Sequence, residues 1–244
     1  MDLIHKTKNS NIINTACFFI LYLSLIIGFL NNENLNYGSY GDWINSNLEP
    51  IKDFSSNFLH TFLNFDQYGH RHSPVYVIFL SLFLDLGFDV DQVRSIHLHL
   101  SISLVVIFYM CLKLKFKRIN NNYLIALSLI LFLSPTFRSL SIWPDSRLPG
   151  LIFFVLTIYF FLKFKKTSQF KYTWYTCVAL IISSYISPNF SIFFPYFLFF
   201  FLKKFKFVKL ILLIFFNFLA ALPMLYYIFI LDVNFLIAGQ TPGL

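Results

Sequence analysis

Charge is scarce in this chain. Asp, Glu, Lys and Arg make up 12% of its 244 residues, about half the ~25% of an ordinary soluble domain. Cysteine is scarcer still: Cys17, Cys111 and Cys177 each lie inside an apolar run. That excludes a disulfide framework, which needs paired cysteines in an oxidising loop, and leaves them as packing residues. No cluster of Cys and His has metal-ligand spacing, so neither a metal nor a cofactor is expected. There is no internal repeat and no separate soluble domain, so residues 1–244 read as one module.

What fills the chain instead is apolar: 57% of residues are hydrophobic and 21% aromatic. An integral membrane protein is the expectation. The few charges are segregated. Of nineteen basic residues, fourteen fall in four clusters: Lys6/Lys8; Lys113, Lys115, Lys117 and Arg118; Lys163, Lys165, Lys166 and Lys171; and Lys203, Lys204, Lys206 and Lys209. Ten of the eleven acids lie outside these clusters. Lys and Arg accumulate on the cytoplasmic side of membrane proteins. The net charge of +8 therefore points to anionic lipid headgroups as partners and not to nucleic acid.

Alternating the clusters across a bilayer predicts an all-α polytopic protein with about seven spans: 12–30, 95–112, 123–137, 148–162, 172–187, 190–202 and 207–231. The N-terminus is expected in the cytoplasm, the C-terminus outside, and the first span to be a retained anchor. Residues 31–94 form a long external segment. Its apolar stretch 74–87 is short, opened by Pro74 and interrupted by Asp85. Were it to cross, every later basic cluster would flip outward, so it is expected to be a juxtamembrane helix. Pro188 and Pro195 are expected to break or tilt the fifth and sixth spans.

Five basic residues face outward: Lys52, Arg71, Arg94, Arg138 and Arg147. Four are Arg, whereas inside Lys outnumbers Arg thirteen to one. Arg presents a planar fork suited to phosphate; the alternative is that these arginines pair with the external acids. Two stretches concentrate polar groups at membrane level. One is 68–74, with His70, Arg71 and His72. The other is 138–147, with Arg138, Trp143, Asp145 and Arg147. Trp143 also reads as an interfacial anchor, and His97 and His99 as interfacial residues on different helix faces. Among the loop carboxylates, Asp42 and then Asp53 are candidates for a general base.

In order and topology these features resemble the GT-C superfamily of polyprenol-phosphate-sugar glycosyltransferases. The likeness is to the branch of protein O-mannosyltransferases and lipid A aminoarabinose transferase (glycosyltransferase family 39-like). The resemblance rests on five features. Asp42 lies early in the first loop. His72-Ser73-Pro74-Val75-Tyr76 opens the juxtamembrane stretch. Arg94 enters the second span. Ser134-Pro135-Thr136-Phe137-Arg138 follows the third span, and Asp145 precedes the fourth. Two departures stand out: Asp42 is followed by Trp43, where the family often has Glu, and Ser73 replaces the first proline of the family's His-Pro-Pro stretch.

The resemblance implies transfer of a sugar from a lipid-linked phosphate donor to a hydroxyl acceptor on the external face of a bacterial plasma membrane. Asp42 would be the base, with Asp53 as fallback. His70, Arg71, His72, Arg138 and Arg147 would hold the phosphate, supported by Asp145 and Arg94. Family members continue through further spans, whereas this sequence stops at Leu244. A truncated, non-catalytic module needing a partner membrane subunit is thus an alternative expectation, as is a component of polysaccharide transport or assembly. Span interiors almost free of charge weigh against transport.

Overall fold

The computed structural model describes residues 2–35, 37–70 and 72–229, and the side chains of these except 2–11, 37 and 226–229. Among them there are helices and turns and no strand. The expected external C-terminus falls outside the described residues, as does Arg71.

Helix α1 (Asp2–Leu30) carries the apolar run Ile12–Leu30. At 1.5 Å per residue, its 19 residues reach about 28 Å, close to the ~30 Å of a hydrocarbon core. A chain of short helices follows: α2 (Tyr37–Asp42), a π-helical turn (Trp43–Asn47), α3 (Leu48–Ser56), α4 (Phe58–Leu63) and a 3₁₀ turn (Phe65–Tyr68). Helix α5 (Val75–Asp85) opens at Pro74. Its 11 residues extend about 16 Å, too short to cross. Its buried side chains Tyr76, Val77 and Leu80 join the main core, and Ser73, just before it, donates to the Tyr185 carbonyl.

Helix α6 (Val90–Lys115) begins five residues before the expected position because Asp89 and Gln92 form a reciprocal capping box, which satisfies two of the free N–H groups at a helix start. Lys113 and Lys115 in its last turn suit the negative end of the helix dipole. The third expected span is broken. Helix α7 (Asn121–Leu129) and a 3₁₀ turn lead to Ser134, whose hydroxyl caps α8 (Pro135–Ile142) with Pro135 in the first turn. The two segments Asn121–Leu133 and Pro135–Ile142 meet at 66°. Helix α9 (Arg147–Thr167) ends at left-handed Ser168 (φ 55°), and α10 (Phe170–Ile186) returns antiparallel to it. Ser183 Oγ near the end of α10 donates to the Gly150 carbonyl near the start of α9, at 2.8 Å. A 3₁₀ turn from Pro188 leads into α11 (Phe194–Leu202), and α12 (Phe207–Phe229) follows.

Among the described residues, four helices are long and apolar enough to cross a membrane, or five if the bent pair counts as one span. That is consistent with a multi-pass membrane protein and falls short of the seven expected from charge alternation. The difference is one of length: α10 has 17 residues and α11 only 9, against the ~20 that a span takes. Pro188 and Pro195 sit at the starts of the elements after α10, as expected.

The core has two parts. One, around Trp43, Phe54, Phe65, Leu80, Phe132 and Ile142, joins α1 through α10. The other stacks Phe161 and Phe164 of α9 on Phe197 and Phe201 of α11. The outward side chains of α1 and α12 are large and apolar, among them Phe19, Ile20, Phe215 and Phe218, as a lipid-facing surface requires. Cys111 and Cys177 are buried, Cys17 is exposed on α1, and all three thiols are free.

The close approach of α9 to the end of α10 depends on Gly150: a Cβ there would lie 2.7 Å from Ser187 Cβ and 3.2 Å from the Phe190 ring. Overpacking costs about 1–3 kcal/mol, more than the ~1 kcal/mol that helix propensity returns on losing a glycine. Gly150→Leu is therefore expected to lower the unfolding temperature in detergent micelles, with a loss of about 3 kcal/mol. An unchanged midpoint contradicts this packing.

Candidate functional site

The end of α1 and the starts of α6 and α9 share one end of the helical bundle, and the polar residues singled out from the sequence gather there. The lysines in the last turns of α6 and α9 lie at the other end. For the 26 residues of α6 this is a separation of about 39 Å. At the lysine end the ammonium groups rest on aromatic faces, Lys203 at 4.0 Å from the Phe199 ring and Lys165 at 4.3 Å from Phe200, as long cationic side chains do at a membrane interface.

At the polar end, two ion pairs tie α8 and α9 to the first loop. Arg138 meets Glu33 in a fork: Nε to Oε1 and Nη2 to Oε2, both 2.6 Å. Its Nη2 also reaches the Ser24 carbonyl of α1 at 3.1 Å. Gly28 leaves room for this pair, since a Cβ there would stand 2.5 Å from Glu33 Oε2 and 2.9 Å from Arg138 Nη2. The second pair centres on Arg147. Asp145, only 3% exposed, accepts from Arg147 Nε at 2.8 Å, Nη2 at 2.5 Å and the backbone N–H at 2.7 Å. The same Nη2 donates to Asp42 Oδ2 at 2.5 Å. Burial pushes the Asp145 carboxyl pKa up, but the Arg147 hydrogen bonds and charge outweigh it and hold the group below its usual range.

The π-helical turn directly after Asp42 turns Trp43 and Asn47 into the core. Asn47 Nδ2 donates to the Pro144 carbonyl at 3.2 Å, and Asn47 Oδ1 meets His70 Nε2 at 2.8 Å. Because the Asn47 amide nitrogen is spent on Pro144, its oxygen is the acceptor and His70 carries the proton on Nε2. One amide thereby joins the segment carrying His70 to the turn carrying Asp145. His72 stacks edge-on against His70, with 6.1 Å between ring centroids, and its charge acts on Asp145. Arg94 is buried on α6: it donates to Asp91 at 2.8 Å and Asn32 at 3.0 Å, and lies 3.9 Å from the centroid of the Trp143 ring.

The structure thus brings Asp42, Asp145 and Arg147 into contact and places His70 and His72 beside them. Arg138 forms a second pair close by. Asp53 is engaged elsewhere, accepting from Tyr68 Oη at 2.5 Å; burial and then that bond push the Tyr68 phenol up to about 12. Arg71 lies outside the described residues. The described arginines expected to face outward, Arg94, Arg138 and Arg147, all pair with acids, the plainer of the two readings open from sequence. His97 is not interfacial: it is buried, meeting Tyr76 Oη at 2.5 Å and the Leu140 carbonyl at 2.7 Å, whereas His99 is exposed. Trp143 is more than an anchor, since its indole N–H donates to the Glu33 carbonyl at 3.0 Å. Glu33 and Asn47 were not singled out from sequence, and Tyr76 entered only as the last residue of the stretch that opens α5. The one signal for Glu33 was an acid at the end of the first span, at the depth of Arg138. Among the described residues, no group of His, Cys, Asp and Glu has the arrangement of a metal site.

Compared with known proteins, the chain matches no family model, no curated protein and no solved structure.

Burial first, and then the charge of His72, push His70 down to about 4 from an ordinary 6.5, with Asp145 opposing. The folded state therefore holds His70 neutral where the unfolded chain already takes a proton. Its contribution to stability is complete above pH 6.5 and is lost as pH falls toward 4. Unfolding of wild type and His70→Gln, measured in micelles from pH 7 to 4.5, is expected to show a smaller loss in the variant. Parallel curves count against a buried neutral His70.

Proposed function

We propose that this chain is a membrane glycosyltransferase that moves a sugar from a polyprenyl-phosphate donor to a hydroxyl acceptor at the arginine-bearing end of the bundle. The observation that carries this reading is the Asp42–Arg147–Asp145 contact, which unites a loop carboxylate with a cation at the membrane boundary. It accords with the GT-C resemblance, in which an early Asp and a later Arg serve one reaction. As proposed, Asp42 takes the proton of the acceptor hydroxyl while its oxygen bonds to the anomeric carbon. The bond from that carbon to the phosphate oxygen breaks, and the polyprenyl phosphate leaves with the electron pair. Arg147 and Arg138, with His72, stabilise the departing charge.

Burial decides which ion pair opens to admit the donor. The Arg147 and Asp42 side chains are 43% and 51% exposed, those of Arg138 and Glu33 only 12% and 20%. Exposed pairs are worth at most about 1 kcal/mol, while breaking a buried pair costs about 3–5 kcal/mol. A donor phosphate therefore displaces Asp42 from Arg147, leaving Asp145 to hold the guanidinium in place. The displaced carboxylate oxygen is then free to receive the acceptor proton. Donor binding and exposure of the base are one event in this scheme.

Asp42→Asn is expected to abolish release of free polyprenyl phosphate from a panel of polyprenyl-phosphate sugars, with expression and donor binding retained. Near-normal turnover in the variant removes Asp42 as the base.

The seven-pass topology belongs to the same proposal, with the N-terminus and lysines in the cytoplasm. The antiparallel return of α10 along α9 supports it, since a helix that doubles back traverses the same layer. Single cysteines placed at Asn34 and Lys166 in a cysteine-free background should react with a membrane-impermeant maleimide from opposite faces of the membrane. Labelling from one face ends this topology.

A further inference from the structure

A pocket of about 450 Å³ opens at the polar end of the bundle, beside the Asp42 turn. That is within the ~300–1,000 Å³ of small-molecule sites. Its base is aromatic: Trp43 and Trp143 are almost fully buried, and Tyr40 packs on Trp143 at 4.7 Å between ring centroids. Its rim is polar, with the amides of Asn32 and Asn34 and the carboxylate of Asp91, all exposed.

Charge decides what this lining suits. Among the described residues, the pocket has one cation, Arg94, and one anion, Asp91. They are bonded to each other at 2.8 Å. The second Arg94 nitrogen, Nη2, goes to Asn32, and the guanidinium lies over the Trp143 ring. The remaining nitrogen, Nε, has no partner but is buried; with the one cation paired to the one anion, the lining sums to zero. An apolar aromatic base under a rim of amide and carboxylate groups matches a molecule with one C–H face, an edge of hydroxyls and no charge.

We infer that this pocket binds an uncharged saccharide ring, its C–H face toward the aromatic base and its hydroxyls toward Asn32, Asn34 and Asp91. The pocket is separate from the Arg147 and Arg138 pairs, so the sugar and the phosphate have different seats. Tyr40 and Trp43 flank Asp42 in sequence, so the helical turn that builds the pocket wall also carries the carboxylate. That the ring belongs to a transfer substrate rests on the glycosyltransferase reading; that the ring binds does not. Two sources share this chemistry: the sugar of the donor and a glycan acceptor.

The test is saturation-transfer NMR on the purified full chain in detergent micelles, with maltotriose, mannotriose and triacetylchitotriose as probes and inorganic phosphate as competitor. At least one trisaccharide is expected to receive saturation. Asn34→Ala and Ile44→Asp, both at exposed positions of the lining, are each expected to weaken its binding at least tenfold, and phosphate is expected not to displace it. Polyprenyl phosphate mannose in a further arm displaces the trisaccharide if the pocket seats the donor sugar and leaves it bound if the pocket seats the acceptor. The inference is overturned if none of the three binds, if both variants bind like wild type, or if phosphate displaces the sugar. Trisaccharide binding without any release of lipid phosphate upholds the pocket and rejects the transferase reading. Release of lipid phosphate without saccharide binding does the reverse.

Discussion

A buried carboxylate at the end of an apolar bundle must be paired, and here that carboxylate is Asp145. Taking an ion out of water costs several kcal/mol unless a partner and hydrogen bonds replace the solvent. Arg147 supplies both from two residues away, through its side chain and its backbone N–H. This local pairing fixes the turn between α8 and α9. Everything else at the polar end hangs from that turn: Trp143 reaches the Glu33 carbonyl, the Pro144 carbonyl receives Asn47, and Arg147 reaches Asp42. Residues about a hundred positions apart are joined because one short turn has a single satisfied conformation.

The same pairing sets the chemistry on offer. Each described arginine at the polar end has its acid: Arg94 has Asp91, Arg138 has Glu33, and Arg147 has Asp145 and Asp42. A site made ready for an anion by uncompensated positive charge would be costly to bury. One that holds its cations with carboxylates of graded exposure is stable when empty, and of the two pairs that tie α8 and α9 to the first loop the more exposed gives way. The fork between Arg138 and Glu33 braces α1 against α8, while Arg147 has one firmly held partner and one loosely held partner. Asp42 is thereby distinguished from Glu33 by its exposure, and from the more exposed Asp91 by a neighbour, Arg147, that keeps a second carboxylate.

Much of this was legible in the sequence where the cause is local. The segregation of lysine from arginine and acid marks the two ends of α6 and α9. Caps such as Asp89 with Gln92, and Ser134 with Pro135, are equally local causes, but they did not enter the expected helix starts. The brevity of the stretch after Pro74 kept it from being read as a span. What was hidden depends on distant partners or on length. Nothing near His97 announces that it will meet Tyr76 and the Leu140 carbonyl; placing the start of α6 at Ser95 put it at an interface, whereas the cap at Asp89 moves it two turns into the helix. Which acid Arg138 takes is settled by Gly28, whose missing side chain admits Glu33. The count of helices long enough to cross differs from the expected spans for a similar reason: charge alternation orders the crossings, but it carries no information about how many residues each helix keeps once Pro188 and Pro195 have set its ends.

The two halves of the polar end differ in kind, and the difference follows from what each must exclude. Around Asp145 and Arg147, ions are packed at hydrogen-bonding distance, so only another ion, or a group that bonds like one, competes for a place. Around Arg94 the charge is closed off by Asp91, Asn32 and the indole of Trp143, and an ion entering there would lose water and gain no partner. In the proposed function, a molecule with an anionic part and a neutral polyhydroxyl part would be oriented by the two environments together. The π-helical turn after Asp42 makes this possible in so little chain. It sends Trp43 to the pocket base and Asn47 to the Pro144 carbonyl, while Asp42, one residue earlier, stays within reach of Arg147.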